Sequence, residues 1–307
     1  MDKIVFFHMN QLGDLLFSLP ILKAVKQELN VKVFSVVKTS LAPLLMASNL
    51  VDETIPKYRN IIKILKKEKI REAILFSESP SSLLYAYLSG IKSRIGFNTT
   101  YLNFLLTKKI KRDGVPSLFN NRKLGFAAGV KSIQQDYARI INIPEENIEN
   151  VKKWFDDNNN LDMSKTVAIS MGASKKRQDK CLEECKWIEV INALLEKGFN
   201  CVISGAVWEK EILNNTAKKC KIIPKVFIAE NGILDNAAFL KKCGLFIGID
   251  SGVMHLAAAV GTKCVAVFGY TDPDQVGPMP LKNHIVIKRR KISDITSEDI
   301  ISKVLQL

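Results

Sequence analysis

A polar turn after a short apolar run carries the residues best suited to binding an anion. The run Leu245–Ile249 is apolar and includes β-branched residues, which predicts a buried strand. The turn Asp250–Gly252 follows it, and its residue types favour turns and helix N-caps. Small residues over His255–Val260 then predict a short helix. Because a helix N-terminus presents unpaired N–H groups and favours negative charge, this segment predicts a phosphate site.

The loop Gln11–Asp14 places a carboxylate shortly after another predicted strand, Lys3–Phe7. In an open α/β sheet, the groups beyond the carboxyl ends of the strands line the ligand site. Gly13 can adopt the backbone angles that put Asp14 at the head of the next helix. A carboxylate there could accept a proton from an attacking hydroxyl. The alternative interpretation is that Asp14 only caps that helix.

A third loop, Met171–Ser174, follows the predicted strand Thr166–Ser170 and leads into the basic stretch Lys175–Lys180. A strand, a small-residue loop and then bases suit a pyrophosphate, although the spacing is not that of a P-loop. A solvated basic loop is the alternative. Glu209, just after a strand that ends at Gly205, could bind a ribose hydroxyl or be a surface glutamate. His255 could contact a diphosphate or be a buried, hydrogen-bonded core histidine.

The composition is that of an ordinary soluble protein with a large excess of positive charge. The chain has 307 residues and a formal net charge of +14. Its basic clusters, Lys57–Arg71 among them, would attract phosphorylated molecules or an anionic membrane surface, or would be solvated helix faces. Nucleic acid is not expected, because aromatic residues are not interleaved with the bases. All six cysteines follow residue 180 at irregular spacing, which predicts reduced thiols and a cytoplasmic location without a signal peptide.

Strand and helix patterns alternate along the whole chain, which predicts an α/β protein. The polar segment 145–165 is the best candidate for a linker. We therefore expect two Rossmann-like, doubly wound domains that face each other across a cleft. Their boundaries are 1–150 and 151–307, with the last helix packing back on the N-terminal domain. We further expect a helix over 134–141 and a loop-rich region over 98–129.

Four motifs together resemble glycosyltransferase family 9, the ADP-heptose:lipopolysaccharide heptosyltransferases, which have the GT-B fold. They are QLGDLLFSLPILKAVKQ near the N-terminus, SRIGF at 93–97, GASKKRQDK followed by Trp187, and GIDSGVMHLAAAVGTKCVAVFGYTDP. The last one is the most specific, and the motifs span nearly the whole chain.

The resemblance implies a role for each candidate residue. Asp14 matches the general base for the acceptor hydroxyl, with Gln11 and Gly13 on the acceptor side. Lys180 matches the lysine that neutralises the donor diphosphate. The remaining donor-binding candidates, for phosphate, sugar, ribose or adenine, are Ser174, Glu209, Asn231, Asp250, Ser251, Gly252 and His255.

The chemistry that the resemblance implies is inverting transfer of a heptose, or a related sugar, from an ADP-sugar without a metal cofactor. The expected acceptor is the lipopolysaccharide core or another surface glycan, reached from the cytoplasmic face of an anionic inner membrane. Three alternatives stay open: a donor with another nucleotide, a non-catalytic nucleotide-sugar binding relative, and a sugar-nucleotide 2-epimerase. The presence of both Asp14 and Lys180 favours catalysis.

Overall fold

In the computed structural model, the described residues are 1–57, 60–158, 161–172 and 178–307. They divide into two compact units, Met1–Asn142 and Ile143–Leu307. Within these residues each unit contains a six-stranded sheet in which neighbouring strands are parallel. The predicted α/β class is confirmed.

The first unit alternates strands and helices along its length. Its strands are β1 (Lys3–Phe7), β2 (Lys32–Val37), β3 (Glu53–Pro56), β4 (Glu72–Leu75), β5 (Ser93–Phe97) and β6 (Lys108–Ile110). Its helices are α1 (Leu12–Leu16), α2 (Leu19–Glu28), α3 (Ala42–Ala47), α4 (Ile61–Glu68), α5 (Pro80–Leu88) and α6 (Leu118–Ala127). The strand order is β3-β2-β1-β4-β5-β6.

The second unit repeats this pattern. Its strands are β7 (Thr166–Ser170), β8 (Asn200–Gly205), β9 (Lys225–Ile228), β10 (Leu245–Ile249), β11 (Cys264–Phe268) and β12 (Ile285–Lys288). Its helices are α7 (Glu145–Asp157), α8 (Glu184–Glu196), α9 (Lys210–Lys218), α10 (Ile233–Lys242), α11 (Gly252–Val260), α12 (Pro273–Val276) and α13 (Ser297–Leu305). The strand order is β12-β11-β10-β7-β8-β9.

Both sheets therefore have the same strand order. In each, successive strands are added first on one side of a central strand and then on its other side, so that the order switches between two central strands. These are β1 and β4 in the first unit and β7 and β10 in the second. Ligands of open α/β sheets bind beyond the carboxyl ends of the strands at such a switch point. The loops that follow these four strands are therefore where sites are expected.

The expected linker is wrong in its first half, because α7 is an integral part of the second unit. This helix buries Val151 and Phe155. The Phe155 ring stacks on Phe239 of α10 at a centroid distance of 5.8 Å, and Trp154 meets the edge strand at Phe227. Two apolar residues at helical spacing are enough to anchor the otherwise polar sequence over 145–157. The division between the units falls at 142/143, whereas the sequence suggested 150/151.

Two other expectations differ from the structure. The last helix, α13, buries Ile300 and Val304 in the apolar core of the second unit, and its packing on the first domain stays a prediction. The region expected to be loop-rich, 98–129, contains β6 and α6. Residues 134–141, expected to be helical, form a turn and irregular backbone instead. Among the described residues, none of the helices is sufficiently long and apolar to cross a membrane.

Candidate functional site

An ion pair forms the centre of the candidate site in the second unit. Lys180 lies at the end of the 3₁₀ turn Gln178–Lys180, and its Nζ donates to Oδ2 of Asp250, directly after β10. The two side chains are 15% and 7% exposed. The Thr271 hydroxyl donates to the same carboxylate oxygen at 2.8 Å. Asp250 therefore holds an ammonium group and a hydroxyl at the carboxyl end of the second sheet.

Helix α11 begins beside this ion pair. Ser251 is its N-cap, and its hydroxyl accepts a hydrogen bond from the Met254 amide at 3.4 Å. Gly252 is the first residue of the helix. The buried His255 lies one turn further on, where burial lowers its pKa to about 4 and the nearby Asp250 only partly offsets this. Its imidazole is therefore neutral at neutral pH.

Glu209 lies against the loop that follows β7. Its Oε2 accepts a hydrogen bond from the Ala206 amide at 2.9 Å, and burial raises the pKa of its carboxyl. A Cβ placed on Gly172 would clash with Oε1 of Glu209. The absence of a side chain at Gly172 thus leaves room for the Glu209 carboxylate beside the end of β7.

Asn231 lies in the loop between β9 and α10, beside a cavity of about 340 Å³. Its Nδ2 donates to the buried Asp235 at 2.7 Å, and Asn147 of α7 donates to the other oxygen of that carboxylate at 2.7 Å. The cavity is also lined by Trp154 and Lys210. Sequence reasoning missed Asp235, which ties α7 to this loop, because an acidic residue in a helical stretch reads as surface.

A second interaction that sequence reasoning missed involves Asp179, the residue before Lys180. The Tyr270 hydroxyl donates to Asp179 at 2.7 Å, which links the turn containing Lys180 to the loop after β11. Tyr270 and Thr271 lie within the FGYTDP motif. The motif itself was therefore the available signal, although it does not reveal that the two hydroxyls contact Asp179 and Asp250.

The predicted acceptor residues lie in the first unit. Gln11 is the N-cap of α1, and Asp14 lies in the first turn of that helix, as the sequence predicted. Gly13 lies within the helix, where its carbonyl accepts from the Phe17 amide at 3.0 Å. Its conformation is helical, so the turn that presents Asp14 does not depend on unusual angles at this glycine.

A cavity of about 380 Å³ lies at the switch point of the first sheet. It is lined by Gln11, by Lys57 after β3, and by Ser77 and Glu78 after β4. Lys57 Nζ donates to the His8 carbonyl at 2.6 Å and to Asn10 Oδ1 at 2.9 Å, and burial lowers its pKa. Gln11 was predicted and Lys57 was noted only as part of a basic cluster, whereas Ser77 and Glu78 were missed, because single polar residues in loops carry no distinctive pattern.

The structure therefore brings most of the predicted residues of the second unit to one edge of its sheet. The segment after β10 contributes Asp250, Ser251, Gly252 and His255. Lys180 joins them through its ion pair with Asp250. Ser174 lies outside the described residues. Within the described ranges, no group of three or more His, Cys, Asp or Glu side chains is arranged to hold a metal ion.

Comparisons with known sequences match this chain to one family. The model of glycosyltransferase family 9 (heptosyltransferase) matches residues 58–304. Lipopolysaccharide heptosyltransferase 2 of Escherichia coli K12 is 21% identical over 304 residues, which cover 92% of this chain and 87% of that protein. Two lipopolysaccharide heptosyltransferase 3 sequences of E. coli are 32% identical over 96 residues and 27% over 146. Those segments cover 30% and 42% of this chain, which spans 28% and 42% of their length.

Solved structures agree in fold. A family 9 glycosyltransferase from Veillonella parvula superposes with a TM-score of 0.88 and 18% identity, over 99% of this chain and 96% of that one. The E. coli heptosyltransferase WaaC, solved with ADP-2-deoxy-2-fluoro heptose, superposes with a TM-score of 0.74 and 19% identity over 99% of both chains. These likenesses confirm the predicted GT-B fold. Because the family model matches about four-fifths of its length, the chain belongs to glycosyltransferase family 9, the heptosyltransferase family.

Proposed function

We propose that this protein is an inverting glycosyltransferase that moves a heptose, or a related sugar, from an ADP-sugar to the lipopolysaccharide core or another surface glycan. The family and the activities named for its relatives support this proposal. So does the structural neighbour solved with a fluorinated ADP-heptose. The single observation that carries it is the Lys180–Asp250 ion pair beside the N-terminus of α11.

Lys180 is the group that neutralises the leaving diphosphate. Asp250 does not bind the phosphates itself, because its negatively charged carboxylate would repel them. Its role is to hold the ammonium group in place, with help from the Thr271 hydroxyl. A charge that is positioned before the reaction costs little reorganisation when negative charge grows on the leaving group. Asp250 is thus a positioning residue for Lys180.

The first turn of α11 supplies a second set of donors for the diphosphate. Its backbone N–H groups and the Ser251 hydroxyl favour an anion there, and Gly252 leaves room for the phosphates to approach the backbone. The neutral His255 can donate a hydrogen bond without adding a charge. Ser174 contributes a hydroxyl in the same proposal.

The nucleoside is held at the same carboxyl edge of the second sheet, beyond β7, β8 and β9. Glu209, whose carboxylate lies against Gly172, accepts hydrogen bonds from the ribose hydroxyls. The backbone around Asn231 contacts the adenine. Residues 143–307 are therefore the donor-binding unit, and residues 1–142, with the cavity beside Gln11 and Lys57, are the acceptor-binding unit.

Asp14 is the general base in this mechanism. Its carboxylate accepts the proton of the acceptor hydroxyl as that oxygen forms a bond to the anomeric carbon. The bond from that carbon to the phosphate oxygen breaks at the same time, and ADP leaves with the electron pair. Attack opposite the leaving group inverts the configuration at the anomeric carbon. Gln11 and Gly13 position the acceptor near Asp14.

Calorimetric binding of ADP, UDP, GDP and ADP-heptose to the wild type, Lys180→Ala and Lys219→Ala tests the donor. Lys219 is a matched control, because it pairs with Glu184 at 2.7 Å on the exposed surface of the same unit. We expect adenine nucleotides to bind best, and only Lys180→Ala to weaken them. Turnover should fall about 100-fold or more in that variant. Preference for UDP or GDP would remove heptose from the proposal, and binding of none would favour a non-catalytic relative.

A further inference from the structure

Helix α5 in the first unit has an apolar face that points away from the core. Ser82, Leu83 and Ala86 form its buried side. Three large apolar residues on the other side are exposed: Leu84, Tyr87 and Leu88. Their spacing of three and four residues places them on one face of the helix. This outer face is as apolar as a buried one, which is unusual for a helix that contacts only water.

The loop between β5 and β6 adds two aromatic side chains. Tyr101 is 78% exposed and Phe104 is 67% exposed, whereas Leu102 and Leu105 pack against the apolar core. Backbone hydrogen bonds hold the loop at both ends, from Asn98 to Ile110 at 3.0 Å and from Thr107 to Arg94 at 2.9 Å. The two rings are therefore presented to solvent by a loop that is anchored in the fold.

Arg94 joins the helix and the loop into one surface. Its guanidinium lies over the Tyr87 ring at 5.5 Å, and its Nε donates to the Leu105 carbonyl at 2.6 Å. The turn Asn103–Leu105 also lies against α5. We call this surface the aromatic patch, and its members are Leu84, Tyr87, Leu88, Tyr101 and Phe104.

The charge around the aromatic patch is mostly positive. Between residues 78 and 136 the chain has nine Lys or Arg residues and three acidic residues. Two of those acidic residues are paired, Glu78 with Arg112 and Asp113 with Lys123. Helix α4 lies beside α5 and exposes Lys63, Lys66 and Lys67. Of the nearby carboxylates, Glu68 pairs with Lys3 at 2.9 Å and Glu72 accepts from Ser93 at 2.7 Å. The rim of the patch is therefore cationic.

We propose that the aromatic patch and its cationic rim dock the protein on a bilayer that contains anionic phospholipids. Aromatic and leucine side chains partition into the interfacial layer of a membrane, and lysines outside it attract the lipid phosphates. A second copy of this chain is a poorer occupant, because two cationic rims would repel each other. Charge alone had suggested docking through 57–71, whereas the structure assigns the apolar anchor to α5 and the neighbouring loop.

Sedimentation with vesicles tests this surface without donor, acceptor or turnover, so its outcome is separate from that of the proposed function. The probes are vesicles of phosphatidylcholine alone and with about 25% phosphatidylglycerol. The test variant is Tyr101→Ser/Phe104→Ser. A matched control is Ile222→Ser/Ile223→Ser, which removes two side chains that are 52% and 65% exposed in the second unit. Circular dichroism and urea unfolding verify that each variant is folded.

We expect the wild type and the control to bind the anionic vesicles, and about 0.5 M NaCl to weaken that binding. The Tyr101/Phe104 variant should bind about tenfold more weakly. A Lys63→Glu/Lys66→Glu/Lys67→Glu variant should lose binding with the aromatic residues intact. Wild-type binding that is absent, that is equal on both vesicles, or that survives the aromatic substitutions would overturn the proposal. So would a dimer in sedimentation velocity that the same substitutions abolish.

Discussion

The Lys180 ammonium and the Asp250 carboxylate form a largely buried ion pair in the second unit. Removing one partner of such a pair leaves the other charge buried, which costs about 3 kcal/mol or more. We therefore expect Asp250→Ala to lower the free energy of unfolding of this unit by that amount. Urea unfolding followed by tryptophan fluorescence measures it, because Trp154, Trp187 and Trp208 all lie in this unit.

The double variant Asp250→Ala/Lys180→Met separates stability from function. It removes both charges, so most of the lost stability should return, whereas affinity for ADP should not. If stability stayed low in the double variant, the cost would come from lost packing at Asp250 and not from an unpaired lysine.

Tyr270 should strengthen binding of the nucleotide donor through its hydrogen bond to Asp179. Tyr270→Phe removes the hydroxyl that donates to Asp179 at 2.7 Å, next to Lys180. Because a hydrogen bond to a charged group at a half-exposed position contributes about 1 kcal/mol, we expect ADP to bind roughly fivefold more weakly. The calorimetric Kd is the readout. Asp179→Asn should weaken binding similarly, and adding Tyr270→Phe to it should change little more; two fully additive effects would show that the residues act independently.

Gly172→Ala should weaken nucleotide binding and leave the fold intact. The added Cβ would clash with Oε1 of Glu209, the movable end of a flexible side chain, so the carboxylate is displaced and its bond to Ala206 is lost. We expect a Kd for ADP raised about tenfold and thermal stability close to that of the wild type.

Gly244→Ala is the contrasting variant. There the Cβ would meet the backbone carbonyl of Ser164, which cannot move aside, so melting temperature should fall. Wild-type ADP affinity in Gly172→Ala would argue against a ribose role for Glu209.

The second unit should lose stability in mild acid because of His255. Burial lowers its pKa from 6.5 to about 4, so between these values the unfolded chain binds a proton that the folded chain does not. Stability is thus fully present above about pH 6.5 and falls as the pH is lowered, by about 2 kcal/mol at pH 5 for one such histidine. His284, with a pKa also lowered to about 4, acts in the same direction.

Urea unfolding at about pH 7 and about pH 5, followed by tryptophan fluorescence, measures this loss. His255→Gln should make the decrease smaller, with the His284 contribution remaining. An unchanged pH dependence in this variant would mean that the pKa of His255 is not lowered and that the folded chain already binds this proton at about pH 5.

The fold and the second-unit loops could be predicted because they follow from local patterns. An apolar run, a capping residue and small residues define β10, Ser251 and α11 within sixteen residues. The partners could not be predicted, since Lys180 and Asp250 are 70 residues apart and their contact depends on β7 and β10 being neighbours. Sequence patterns show which strands exist but not which ones pair.

Errors arose where a polar sequence hides a sparse apolar stripe. Helix α7 has only Val151 and Phe155 buried, and the surrounding Asn and Asp residues read as a linker. Over 134–141 the opposite happened, because helix-forming residues adopt an irregular path in which Tyr137 is fully buried. Tertiary contacts override local propensity in both places.

Helix α7 also determines where this chain can be recombined with its relatives. An exchange at 150/151 would cut the helix and separate Asn147 from Asp235, whereas one at 142/143 keeps each core whole. Chimeras joined at 142/143 should fold and those joined at 150/151 should not. Because the proposed donor and acceptor sites belong to different units, recombination at 142/143 would let the specificity for donor and the specificity for acceptor evolve separately.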